Sequence, residues 1–184
     1  MTDRMPPIPK EQWTDAQARA AAEFVRMRGQ EPFGPFALML RSPDVMLRAG
    51  AMGDYMRYKT SLQPALNEMI ILITARHWSQ QFEWHIHQPM ALKAGLNPAV
   101  VSAISKGRRP EAMSADEAIV YDFSTELLRL QNISDETYAR ARDRFGEPGV
   151  IDMVGVAGYY SFLSMMMNTA RTAVPADSDV APLP

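Results

Sequence analysis

Apolar positions along this chain recur at the 3.6-residue spacing of helices, and no stretch alternates with period two for long enough to read as a strand. The polar punctuation divides the pattern into segments. Thr14-Asp15-Ala16-Gln17 is a capping box that predicts a helix to about Arg28, ahead of Gly29. A loop over Gln30–Pro35 follows. Ser42-Pro43 predicts a helix to about Tyr58, and Pro64 opens another in which Leu66, Ile70, Ile73 and His77 keep helical spacing. Gly95 closes the next segment. Asn97-Pro98 starts a short helix that stops at Gly107, and Ser114-Ala115-Asp116-Glu117 is a second capping box leading to about Leu130. Ser134 starts a helix ending at Gly146, and a last one fills about Val150 to Thr172. The fold class is all-α.

That last segment changes the picture of the surface. From Met153 to Ala170 there is no charged residue, close to the length of a membrane span. The polar Gly, Ser, Tyr and Asn residues within it favour a helix buried in a core or subunit contact instead, so no membrane partner is expected and a homo-oligomer is. Both ends are rich in Pro, Ala and Asp. Residues 1–12 read as an extended arm, 13–173 as one helical domain with its motif core at 64–96, and 174–184 as a flexible tail.

Composition narrows the function classes. With 184 residues, 47% hydrophobic and 22% charged, the chain is an ordinary single globular domain. Net charge is −2, and the densest basic run, Lys106-Gly107-Arg108-Arg109, is too short to form a nucleic-acid surface. The first nine residues carry no apolar run of the signal-peptide kind, so a cytoplasmic location is expected. There is no cysteine, which excludes disulfides, thiolate metal sites and thiol-based mechanisms.

The candidate chemistry lies in Phe82-Glu83-Trp84-His85-Ile86-His87. Glu83 and His87, four residues apart, share one helical face, whereas His85 points elsewhere. A carboxylate can orient the imidazole and raise its pKa, and the ring titrates near neutrality. A solvated surface ion pair fits the same spacing. Glu68 sits among Leu66, Met69, Ile70 and Ile71, and a carboxylate so placed is buried with a partner or faces water at a helix edge. Arg76, eight residues on, is one partner in reach. The set of Glu83, His87, Glu68 and His85 does not form a His-Glu-x-x-His signature, so no metal and no cofactor is expected. Pro89, inside the same helix, predicts a kink, because it clashes with the carbonyl of His85 at a cost of about 3 kcal/mol.

Glu68, then positions 80, 83 and 87, repeat the motif spacing of the AhpD-like alkylhydroperoxidases in the carboxymuconolactone decarboxylase superfamily. Ala75-Arg76-His77-Trp78, Ala91-Leu92-Lys93-Ala94-Gly95-Leu96, Gly158-Tyr159-Tyr160 and Asn168 add to the likeness. Over roughly residues 43–174 the chain resembles the longer, cysteine-free branch of that superfamily. The resemblance implies a compact all-α subunit assembling into trimers, hexamers or dimers. The two cysteines of the peroxidase motif are here Gln80 and Glu83, and peroxide reduction by that route needs a thiolate and a resolving thiol. The decarboxylase branch implies cofactor-independent proton transfer on a small carboxylate or lactone substrate. His87 would then be base or acid, Glu83 its orienter and Glu68 a second proton carrier. Arg76 would hold a substrate carboxylate, with Trp84 and Tyr159 walling the site. A non-catalytic oligomeric binding or scaffold protein on the same fold is the other expectation.

Overall fold

The computed structural model describes residues 3–175 and 179–184. Its helices are α1 (Asp15–Arg28), α2 (Pro35–Met39), α3 (Pro43–Tyr58), α4 (Pro64–His77), α5 (Gln81–Lys93), α6 (Pro98–Ser105), α7 (Ala115–Leu130) and α8 (Asp135–Ala170), after a 3-10 turn at Lys10–Gln12. No strand occurs among the described residues. Both capping boxes form: Thr14 and Gln17, and Ser114 and Glu117, satisfy each other's backbone N–H groups. α2 lies beyond the predicted loop; a five-residue helix behind Gly34-Pro35 is too short to show a period. α8 is interrupted at Gly146, whose φ of 69° and ψ of 172° break the helix where Gly-Glu-Pro predicts a boundary. α5 runs through Pro89 with no break; Pro89 and Met90 lie on its exposed side.

α4 is the axis of the molecule. It packs against α5, α6, α7 and α8, and every residue from Leu66 to Ala75 is buried. A helix apolar all round can only be accommodated this way. Met69, Ile70, Ile71 and Leu72 are fully enclosed, each contributing about 1.5–3 kcal/mol of burial. Two polar side chains on this axis bond to backbone: Thr74 Oγ1 donates to the Ile70 carbonyl at 2.8 Å, and Asn67 Nδ2 to the Met56 carbonyl at 2.9 Å. On α8, buried Asp152 accepts from Ser61 N and Oγ, both at 2.7 Å, fixing α8 to the α3–α4 connection.

α8 is long and apolar enough to cross a membrane, and 56% of its most apolar stretch is buried in the fold. The two ends are tied down at several described residues. Arg4 N donates to the Ala170 carbonyl at 2.8 Å. At the other end Leu183 is buried and exchanges two hydrogen bonds with the Gln81 side chain, at 2.9 and 3.0 Å.

Candidate active site

The site forms where α4, α5 and α8 meet. α5 begins at Gln80, whose side-chain oxygen accepts from Phe82 N at 2.6 Å and Glu83 N at 3.2 Å. Its amide nitrogen donates to Asn168 Oδ1 at 3.0 Å, and Asn168 Nδ2 donates to the Trp78 carbonyl at 2.8 Å. Position 80 therefore serves as a helix cap, clamped to α8, that sets the direction of the first turn and of Glu83 within it.

One helical turn on, His87 lies between two carboxylates. Its Nδ1 is 2.8 Å from Glu68 Oε2, and its Nε2 is 3.4 Å from Glu83 Oε2. All three residues are buried, at 8% exposure for Glu68 and 3% for each of the others. The surface ion-pair alternative is thereby removed. Burial alone disfavours the imidazolium, but hydrogen bonds and charge from Glu68 and then Glu83 outweigh it, so the His87 pKa is raised. With both carboxylates ionised, the trio carries one negative charge when the ring is protonated and two when it is not.

Glu83 and His87 face a small cavity of about 40 Å³, room for a few waters. Tyr159 and Tyr160 of α8 form one wall. The Tyr160 ring stands edge-on to His87, centroids 5.0 Å apart. Burial raises both tyrosine pKa values, keeping the phenols protonated. Glu83 Oε1 and Tyr159 Oη are buried with no protein partner among the described residues, which leaves an acceptor and a donor for a guest. Gly53 of α3 makes the space for that phenol: a Cβ there would lie 2.3 Å from Tyr159 Oη. Arg28 and Arg57 line the same cavity, with Gln30 and Phe33 of the α1–α2 loop. Arg28 is held by the Gly50 carbonyl at 3.0 Å and by the Phe36 ring, 5.0 Å away.

Of the residues singled out by sequence, Glu68, Glu83 and His87 converge, and Tyr159 joins Glu83 and His87 at the cavity, whereas Glu68 backs the ring from outside it and lines a separate cleft with Asn67 and Met90. Arg76 does not join them. Glu68 pairs with His87 instead, and Arg76 lines a separate cleft with Gly107 and Tyr121. Eight residues along a helix is a rise of about 12 Å, which carries the guanidinium to the far end of α4. Trp84 is also displaced: one residue past Glu83 is a turn of about 100°, and the indole is buried away from the cavity. His85 stands outside the trio, as its spacing implies. Tyr160, Gly53, Arg28 and Arg57 are site residues that no motif in the sequence marked, and Gln80 was marked there only as standing in a cysteine's place.

The architecture is shared with solved structures. An alkylhydroperoxidase AhpD core structure, an uncharacterized peroxidase-related protein from Ralstonia eutropha, superposes with a TM-score of 0.74 at 16% identity, over 95% of this chain and 93% of that one. The chain has the AhpD-like fold. A second relative of this fold is the debrominase Bmp8, in a cysteine-to-alanine variant in complex with 2,3,4-tribromopyrrole, with a TM-score of 0.72 at 13% identity over 96% of this chain and 94% of that one. Apo Bmp8 gives 0.70 at 13%, over 92% and 91%. At these identities the likeness is one of AhpD-like fold alone. No family model and no curated protein sequence matches the chain.

Proposed function

We propose that this protein is a cofactor-independent proton-transfer enzyme of the lyase or decarboxylase type, acting on a small carboxylate or lactone. The observation that carries the reading is the buried Glu68–His87–Glu83 relay, whose Glu83 and His87 face a small cavity. Glu68, at hydrogen-bond distance from Nδ1, is the orienting group and fixes the tautomer that leaves Nε2 as the working nitrogen. Glu83, 3.4 Å from Nε2, stands beside the transferred proton rather than behind the ring. Arg57 and Arg28 take the anchoring part expected of Arg76, drawing a carboxylate toward the mouth. Tyr159 supplies a hydrogen bond to a developing enolate oxygen. In a decarboxylation, loss of carbon dioxide leaves its bonding electron pair on a conjugated carbon, and the His87 imidazolium delivers the proton there. At about 40 Å³ the cavity is smaller than such a substrate, so binding requires its lining to move apart.

Thiol peroxidase chemistry has no basis here, since the chain holds no thiol. The deciding experiment incubates a panel of unsaturated carboxylates, keto acids and lactones with the protein in deuterium oxide. Carbon dioxide release or deuterium incorporation should be detected by mass spectrometry, and His87→Asn should lower the rate on the order of 10²–10⁴-fold. Turnover that is equal in His87→Asn contradicts the proposal, as does a panel without any exchange.

A further inference from the structure

The cleft that receives Arg76 lies on the opposite end of α4 and is ten times larger than the cavity at His87, about 400 Å³ against about 40 Å³. That is the size range of small-molecule sites. Its floor is apolar, from Ile73, Ile104 and Leu128, with the Tyr121 ring as a side wall. Two cations enter it from different helices: Arg76 from the last turn of α4 and Arg129 from the last turn of α7. No carboxylate lines it.

Cations at helix C-termini are common because they suit the dipole, but two details exceed that explanation. The carbonyls of Ala75 and Arg76 already accept from Gln80 N and Ser79 N, so the guanidinium is not needed as a cap. Arg76 Nε and Thr125 Oγ1 are both buried with no hydrogen-bond partner, and neither arginine side chain has an ion-pair partner among the described residues. The acids nearest on α7 are committed elsewhere. Asp122 is gripped by Arg109 and Arg140 at 3.1 Å each, and Glu126 accepts from Ser134 N at 2.7 Å. A buried guanidinium Nε on half-buried Arg76 and the buried Thr125 hydroxyl line one apolar-floored cleft, and the acids of the adjoining cleft, Asp122 and Glu126, are engaged elsewhere, so both groups call for an acceptor from outside the chain.

The geometry points to a second ligand site in this cleft, for a small organic carboxylate with a compact apolar body. The carboxylate seats on Arg76, Thr125 and Arg129, and the body lies on the Ile73–Ile104–Leu128 floor. The site is separate from His87 and does not depend on the reaction proposed there.

Benzoate is the probe, titrated calorimetrically into the full chain, with benzamide and inorganic phosphate as controls. Benzoate should bind saturably, and benzamide and phosphate, each lacking half of the recognition, should bind more weakly. Arg76→Gln removes a charged hydrogen bond and should weaken benzoate roughly tenfold or more. Thr125→Val, which keeps the side-chain volume, should weaken it by a smaller factor, and His87→Asn should leave it unchanged. Saturation absent at accessible concentrations overturns the site, as does equal affinity for benzamide, or binding indifferent to both Arg76→Gln and Thr125→Val. Loss of benzoate binding in His87→Asn would assign it to the other cavity. A change in sedimentation mass in Arg76→Gln without benzoate binding would show that the cleft receives another copy of the chain instead.

Discussion

His87 sets two carboxylates against one ring, and their different distances separate their effects. Glu68, at 2.8 Å, is the stronger support for the imidazolium, and Glu83, at 3.4 Å, the weaker. Activity that needs the imidazolium, as the proton delivery to carbon does, should fall as pH rises through the raised folded-state value. Glu68→Gln and Glu83→Gln should each move that limb to lower pH, Glu68→Gln further, in pH–rate profiles. Stability has the same sign: the paired imidazolium stabilises the fold below the ring's ordinary pKa, and this is lost as pH rises through the folded value. His87→Asn should lack that step in a series of melting temperatures against pH. At Gly53, a methyl group has no room beside Tyr159 Oη, so Gly53→Ala should cost about 1–3 kcal/mol in chemical denaturation. The Glu83–His87 pairing was legible because i, i+4 spacing is a property of the sequence. Arg76 and Trp84 were misplaced because nearness along the chain ignores rise and phase on a helix.

At the scale of elements, the boundaries most faithfully announced were those with local chemistry. Thr14–Gln17 and Ser114–Glu117 cap in the structure as their side chains dictate, and Gly146 breaks α8 through its own backbone conformation. What the sequence could not show was the pairing of distant elements. Gln80 reads only as a missing cysteine until α8 delivers Asn168 beside it. Its cap and this bridge predict that Gln80→Ala lowers stability by about 1–2 kcal/mol, measured by urea denaturation. Because the cap aims the turn carrying Glu83, the same substitution should also move the pH–rate limb. α2 carries no comparable local signal, and its course follows from packing against α3 and α8.

For the whole molecule, α8 has apolar residues on both sides. Tyr159, Tyr160, Leu163 and Met167 face the core, whereas Ile151, Val154, Phe162 and Met165 share an outward stripe and remain 36–67% exposed. Such a stripe exceeds the scattered apolar exposure of ordinary monomers and predicts self-association through α8. Sedimentation should give a mass above the 20.6 kDa of one chain, and Phe162→Asp should shift it toward the single-chain value. A wild-type mass of one chain contradicts this assembly.

The buried relay is tested most directly by an NMR titration of the His87 ring nitrogens in the wild-type protein and in Glu68→Gln. The wild-type midpoint should lie above the ordinary histidine value, with a neutral form protonated at Nδ1, and the variant's midpoint should be lower. A His87 that titrates at or below the ordinary value, unmoved by Glu68→Gln, contradicts it.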